Sequence, residues 1–447
     1  MTPLGHLMMA TPNPRQIALD VLGAVRRRDA YANLLLPARL DAAGPAGRDA
    51  ALATELVYGT LRLLGTYDAV LDRCLPRPDR LHPRVRDVLR LGVHQLLGMR
   101  VDPHAAVYES VELARRTGGA VAARLVNAVL RRIADRDLES WLAEVTPADD
   151  PVAALGLRYG HPRWIVAAFA DALRGDLADV RALLQANNTP APVHLAARPG
   201  RCTVDELLAA GARPGRWAPT AAILDAGAPG RIAAVREGRA GVQDEGSQLV
   251  ALAAAAPAGA GWWLDLCAGP GGKTALLAAE ADRRGARVLA VDLRPHRARL
   301  IPRDPRVTVI VADGRRPAWR SGRVDRVLVD VPCTGLGALR RRPELRWRRR
   351  PDDVRSLQRL QIELLTAALD AVRPGGLVGY ATCSPHPAET IDVVHQVADR
   401  VEVLDAREAM VAHARAVPPD LGPGPFVQLW PHRHETDAMF FALLRRR

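Results

Sequence analysis

Lysine is almost absent. The chain has 62 basic residues among its 447, and all but Lys273 are arginine. A GC-rich coding sequence accounts for most of that bias. Its physical result is still a surface able to make bidentate phosphate contacts and to stack on bases. Aromatic residues are scarce too, at 4%, so the cores must be built from Ala, Leu and Val. Five cysteines are too few for a disulfide framework, and no C-x-x-C pair occurs, which excludes a zinc ribbon. Long apolar runs are also lacking. The longest, Leu249 to Leu264, is broken by Pro257 and several glycines, so no membrane span is expected. The opening MTPLGHLMMATPNPRQ has no basic segment followed by an apolar run. No signal peptide is expected, and the chain reads as cytoplasmic.

What is present is ordinary globular composition. Hydrophobic residues at 48% and charged residues at 25% exclude a disordered chain, and the length suggests about three domains. Acidic residues number 49, leaving a formal net charge of +13. A soluble chain this basic is a candidate for binding a polyanion, nucleic acid above all.

Three regions are expected, at 13–150, 151–240 and 241–447. The first reads as helices only. Ile17, Val21 and Val25 recur at helical spacing, as do Leu52, Leu56 and Leu63. Pro83 opens a segment striped by Val85, Leu89 and Leu96, and Gly118-Gly119 separates HAAVYESVELARR from AARLVNAVLRRIA. The arginines at these helix ends suit the helix dipole and suit RNA about equally. The second region reads as a small α+β module. It has two short helices around 164–173 and 177–186, strands at 192–197 and 222–225, and a T-x-x-E capping box at Thr203–Glu206. In the third, strands alternate with helices: WWLDLCA, VLAVD, VTVIVAD, RVLVDVP and GLVGYATCS, with a helix at 353–372 and DAMFFALL as a late strand. Near-continuous apolar strands of this kind predict a parallel sheet covered on both faces.

The chemistry gathers at the ends of those strands. Strand 262–266 runs into Cys267-Ala268-Gly269-Pro270-Gly271-Gly272-Lys273-Thr274. A phosphate-binding P-loop would need glycine where Cys267 stands, so that spacing fails. The better reading is a nucleoside-binding turn leading into a helix N-terminus. Asp265, Asp292 and Asp313 lie at three successive strand ends, and an acidic residue at the second commonly bonds ribose hydroxyls. Without G-x-G-x-x-G spacing, an adenosine-containing ligand other than NAD is expected. Cys333, in Asp330-Val-Pro-Cys-Thr-Gly, and Cys383, in Ala-Thr-Cys-Ser-Pro, each follow a strand. A lone cysteine is usually a small buried hydrophobe, but two at strand ends beside one crevice point toward reactivity.

The motifs DLCAGPGGKT, VDVPCTGLG and ATCS resemble those of the RNA 5-methylcytosine methyltransferases that use S-adenosylmethionine. VYGTLR, HAAVYESVELA and LVNAVLRR look like the NusB-type RNA-binding fold, and the combination resembles the RsmB (Sun, Fmu) ribosomal RNA methyltransferases. The resemblance implies a multidomain chain: an all-α NusB-like domain, a small α+β linker module and a Rossmann-like methyltransferase domain. It implies Cys383 as nucleophile, Cys333 assisting release and Asp330 on the cytosine edge. Cys267, Ala268, Gly269, Pro270, Gly271, Gly272, Lys273, Asp292, Asp313 and Asp330 would contact S-adenosylmethionine. RNA is the expected partner, with neither membrane nor metal, and a monomer is expected. Two rivals are a transfer RNA substrate and an RNA-binding assembly or antitermination factor with a vestigial catalytic domain.

Between the two cysteine motifs lies Arg340-Arg-Arg-Pro-Glu-Leu-Arg-Trp-Arg-Arg-Arg350. Arg340, Arg341, Arg342, Arg346, Trp347, Arg348 and Arg349 are expected to grip RNA by phosphate contacts and base stacking. Two departures from the family pattern stand out. Thr390 replaces the usual Asn after Glu389, and Asp437-Ala-Met replaces the usual Asp-Gly-Phe. His432 and His434 have no third partner at metal-ligand spacing.

Overall fold

The computed structural model describes residues 13–45, 47–256 and 260–447. Pro257 and most of the opening segment used for the signal-peptide reading lie outside them. The chain forms two compact units. One comprises residues up to Ala167 together with Arg341–Arg348; the other comprises Ala168–Arg340 and Arg349–Arg447.

The first unit is helical. Asn13, His82, Asp102 and Asp150 each accept a first-turn backbone N–H, and each is followed by proline at the first helical position. That pairing of cap and proline starts the helices Pro14–Arg28, Pro83–Val93, Pro103–Ala134 and Pro151–Tyr159. Between them run Ala32–Ala43, Gly47–Arg62, Leu64–Cys74 and Leu138–Val145. The Gly118-Gly119 break is real: Gly119 has φ +73 inside Pro103–Ala134, a conformation glycine adopts without a Cβ penalty. Leu19, Leu56, Val88, Leu113 and Leu130 are fully buried, each worth about 1.5–3 kcal/mol by removal from water. Several helix arginines pair internally. Asp68 takes Arg86 and Arg90, and buried Asp87 takes Arg26 and Arg90.

The second unit holds two sheets. A small antiparallel one is formed by β1 (Val193–Ala197), β2 (Arg213–Pro214), β3 (Ala221–Leu224) and β4 (Ala240–Val242), in the order β2-β3-β1-β4. β4 carries this module past residue 240, and the module shares its unit with the large sheet. Thr203 caps its helix as expected, accepting from Glu206 N at 3.2 Å, but the Glu206 carboxylate goes to Arg239 rather than back to the cap.

The large sheet comprises β5 (Trp262–Leu266), β6 (Arg287–Asp292), β7 (Val307–Val311), β8 (Val324–Asp330), β9 (Val372–Thr382), β10 (Val401–Leu404), β11 (Val427–Gln428) and β12 (Phe440–Arg446). Its order is β10-β12-β9-β8-β5-β6-β7, with β11 beside β12. β5 to β9 pair in parallel, but β12 runs antiparallel, with Phe441 opposite Ala381. The sheet is therefore mixed, not purely parallel. β12 is as apolar as its neighbours, and composition alone does not encode direction. The strand order reverses between β5 and β8. In open α/β sheets the crevice outside the carboxyl ends at such a switch point receives the ligand. Among the described residues, no helix is long and apolar enough to cross a membrane.

Candidate active site

The turn after β5 is built by close packing. A Cβ on Gly269 would lie 2.5 Å from Asp292 Oδ2, and one on Gly271, where φ is +100, would lie 2.7 Å from Ile301 Cα. Both glycines are needed for the turn to seat against residues 292–302, apart from any ligand. Asp292 holds the same turn. Its Oδ2 accepts from Gly269 N at 2.9 Å and its Oδ1 from Arg294 N at 2.8 Å, with Arg297 3.4 Å away. Asp313 is bidentate to Arg315, which pulls its carboxyl down to about 2.

Asp265 behaves differently. It is buried, Thr274 Oγ1 donates to its Oδ2 at 2.6 Å, and Oδ1 has no hydrogen-bond partner. Burial pushes its carboxyl up to about 7, against the Thr274 bond and with help from Asp330 and Asp292. The folded chain thus holds this proton more tightly than the unfolded one. The stability it contributes is complete below the ordinary carboxyl range and is lost as pH rises through about 7. Asp265→Asn keeps an acceptor for Thr274 and should raise the Tm more at pH 8 than at pH 4. Equal shifts in thermal unfolding at the two pH values would overturn this.

The only lysine of the chain sits in the crevice. Lys273 Nζ donates to Asp330 Oδ2 at 2.8 Å, and the lysine side chain is largely buried. Burial works to discharge it, but the charge and hydrogen bond of Asp330 outweigh burial, and Cys383 and Asp265 add to them. Its pKa therefore ends above the usual range. A compact ammonium fits where the planar fork of arginine needs more room.

β8 and β9 deliver the two cysteines. Cys333 Sγ and Cys383 Sγ are 3.3 Å apart. Hydrogen bonding to Cys383, then burial, then the charges of Cys383 and Glu389, hold the Cys333 thiol well above its ordinary range. Beneath the two thiols lies a polar cluster the sequence analysis did not single out. The Glu389 carboxylate accepts from Thr334 N at 2.8 Å, from Gln361 Nε2 at 3.0 Å and from Thr334 Oγ1, and Ser384 Oγ is 3.1 Å from Thr334 Oγ1. Their neighbours in sequence to the cysteines were the available signal. Thr390, at the position of the usual Asn, turns its hydroxyl to the His386 and Pro387 carbonyls.

The arginine segment corrects an expectation. Arg340 and Arg346 are buried, and Arg340 donates to Glu435 O. Arg346 donates to Arg62 O at 2.8 Å and Gly160 O at 3.1 Å, and Trp347 Nε1 to Leu61 O at 2.6 Å. Arg342 and Arg348 stack on Tyr31, and Arg348 also reaches Ala30 O. Arg341 is partly exposed, and Arg349 donates to Thr334 O and Cys333 O. Phosphate contacts need exposed guanidinium groups, and here most are directed at backbone carbonyls. His432 bonds Asp179, and the His434 ring lies between Trp430 N and Pro419 O. Among the described residues, no group of three His, Cys, Asp or Glu is arranged to hold a metal ion.

The donor set fits a cationic adenosine ligand. Asp265, Asp292, Asp313 and Asp330 lie at or just beyond four strand ends, and the lysine among them is already bonded to Asp330. Such a set suits a sulfonium and ribose hydroxyls, and repels pyrophosphate.

Comparison with known proteins agrees. The family described as 16S rRNA methyltransferase RsmB/F matches residues 252–445, and the NusB family matches residues 12–135. A putative methyltransferase of Mycobacterium tuberculosis is 52% identical over 97% of this chain and 96% of its own. The probable ribosomal RNA small subunit methyltransferase B of Bacillus subtilis is 31% identical over 98% and 100%, and that of Vibrio cholerae, ribosomal RNA small subunit methyltransferase B, 34% over 89% and 90%. Among solved structures, the one titled Crystal Structure of PH0851 has TM-score 0.77 at 22% identity, covering 96% of this chain and 98% of that one. It shares the fold. The chain belongs to the RsmB/F family of 16S rRNA methyltransferases, with S-adenosylmethionine as its cofactor.

Proposed function

We propose that the protein forms 5-methylcytosine in small-subunit ribosomal RNA through a covalent cysteine adduct. The observation that carries this is the pair of thiols 3.3 Å apart beside the Asp330–Lys273 pair. Carbon 5 of cytosine is a weak nucleophile. A thiolate adding to carbon 6 makes the ring an enamine, whose carbon 5 attacks an electrophilic methyl group. S-adenosylmethionine supplies that methyl on a sulfonium, held by residues 267–273, Asp292, Asp313 and Asp330.

Cys383 adds to carbon 6. Asp330 bonds the cytosine edge, and the Lys273 ammonium steadies the negative charge that develops on the ring. Cys333 stays protonated while Cys383 is beside it as a hydrogen-bond partner and charge. Once the Cys383 sulfur is bonded to carbon 6, its hydrogen bond and charge no longer raise Cys333, and only burial and Glu389 still do. Cys333 then gives its thiol proton to solvent water and, as thiolate, takes the proton on carbon 5; the ring double bond reforms, and Cys383 leaves as thiolate.

Lys273→Met removes the charge but keeps the length. It should slow single-turnover methylation by about 10²–10³-fold, the cost of losing one preorganised electrostatic partner. A rate within tenfold of the parent would exclude the lysine from the reaction. The function itself is tested by bisulfite sequencing of ribosomal and transfer RNA from a deletion strain. Loss of a single cytosine signal in small-subunit RNA is expected. Loss only in transfer RNA would move the substrate, and no loss would overturn the reading.

A further inference from the structure

Four main-chain polar groups around Cys333 are held by side chains. Gln361 Nε2 donates to Pro332 O at 2.9 Å. Arg349 donates to Cys333 O and Thr334 O at 3.3 and 3.0 Å. Glu389 takes the Thr334 N–H and hydroxyl, which leaves the Thr334 oxygen to accept from Ser384. Ser384 follows Cys383 directly. Glu389 is fully buried, and its own carbonyl accepts from Tyr380 Oη at 2.7 Å. A buried carboxylate that receives three donors and no cation is expensive to maintain unless its acceptors are used. Here they are used on the residues adjoining the two thiols.

We propose that Glu389 is a positioning residue that sets the separation of the two thiols, gripping Thr334 on the Cys333 loop and, through the Thr334 hydroxyl, Ser384 on the Cys383 loop. This rests on the reading that both thiols act on one RNA base. Without the clamp, the Cys333 loop keeps its carbonyl contacts and is tied to the Cys383 strand only at its two ends, by Val331 N to Ala381 O and Gly337 N to Cys383 O. The sulfurs drift apart, and release of the adduct slows because Cys333 no longer reaches carbon 5.

Two measurements test it, and one does not depend on methylation. Phenylarsine oxide bonds two adjacent thiols and releases water, so both sulfurs must be close. The parent should bind it and Cys333→Ser should not. Glu389→Ala should bind it about tenfold more weakly or worse, the equivalent of one lost hydrogen bond to a charged group. S-adenosylmethionine affinity should be unchanged. In turnover, Glu389→Ala should lower kcat by about 100-fold with KM for RNA unchanged, as a misplacement near 1 Å does. Covalent protein–RNA complex should accumulate, and Glu389→Gln should restore part of kcat. In a Cys333→Ala background the Glu389 change should add nothing, since both act through Cys333. If Glu389→Ala loses cofactor binding and so fails to fold, Thr334→Val, which removes only the shared hydroxyl, decides instead. Undiminished arsenical binding in the folded variant, or additive losses in the double variant, overturns the proposal. Failure of the adduct chemistry shows separately, as a Cys333→Ala variant that forms no covalent complex while the arsenical arm in the parent still reports the thiol separation.

Discussion

Cys383→Ala should abolish methyl transfer to RNA and leave S-adenosylmethionine affinity where it was. The sulfur that must bond carbon 6 is gone, while the turn at 267–273 and Asp292, Asp313 and Asp330 are untouched. Cys333→Ala should do the opposite to the covalent species. The Cys383 thiolate still adds and carbon 5 is still methylated, but the proton on carbon 5 has no sulfur to take it. A protein–RNA complex that survives denaturing electrophoresis should therefore build up with Cys333→Ala and be missing with Cys383→Ala. The two roles are those the family resemblance implies. The thiols are 3.3 Å apart, and the hydrogen bond to Cys383, burial and the charges of Cys383 and Glu389 raise the Cys333 thiol above its ordinary range. If the complex accumulates with Cys383→Ala instead, the assignments exchange.

The second large effect is on stability. Arg346 caps two helices at once. Its guanidinium donates to Arg62 O, the last residue of Gly47–Arg62, and to Gly160 O, just beyond Pro151–Tyr159. Helix C-termini leave carbonyls unsatisfied and favour a cation there. Burial and the charge of Arg62 both oppose the Arg346 charge, so the carbonyls are its compensation. Arg346→Met should cost about 3 kcal/mol by leaving buried carbonyls unpaired, or roughly 10 °C in the Tm of the helical unit. The slope of RNA affinity against salt should not change, because this guanidinium meets no phosphate. A variant as stable as the parent with a flattened slope would restore the phosphate-gripping role.

The residues proposed to carry the chemistry stand out in sequence because such chemistry demands particular atoms at strand ends. Cys333, Cys383, Asp330 and the turn after β5 announce themselves by type and position. The apolar strands and the proline-led helix starts were legible for the same reason: each is a local pattern. What escaped was non-local. The antiparallel direction of β12 is set by the path of the chain between β9 and β12. The Glu389 cluster joins residues 334, 361, 384 and 389, which no spacing rule connects. The arginine segment misled most. Charge density alone does not say whether a guanidinium faces water or a helix end, and Arg346 and a solvated arginine look alike in sequence.

That segment has a consequence for how the protein is made. Residues 13–167 leave the ribosome before the second unit, but Arg341–Arg348, which complete the first unit, follow only after Ala168–Arg340. At about 5–20 residues per second, the interval is roughly ten to forty seconds. Throughout it, the carbonyls of Leu61, Arg62 and Gly160 lack the donors from Arg346 and Trp347, and the space beside Gly65 that the Trp347 ring fills stands open. The helical unit starts before the second unit and cannot finish until Arg341–Arg348 are made. Its last piece arrives on the same stretch of nascent chain as Cys333, so the NusB-family fold closes only once the first of the two paired cysteines has been synthesised.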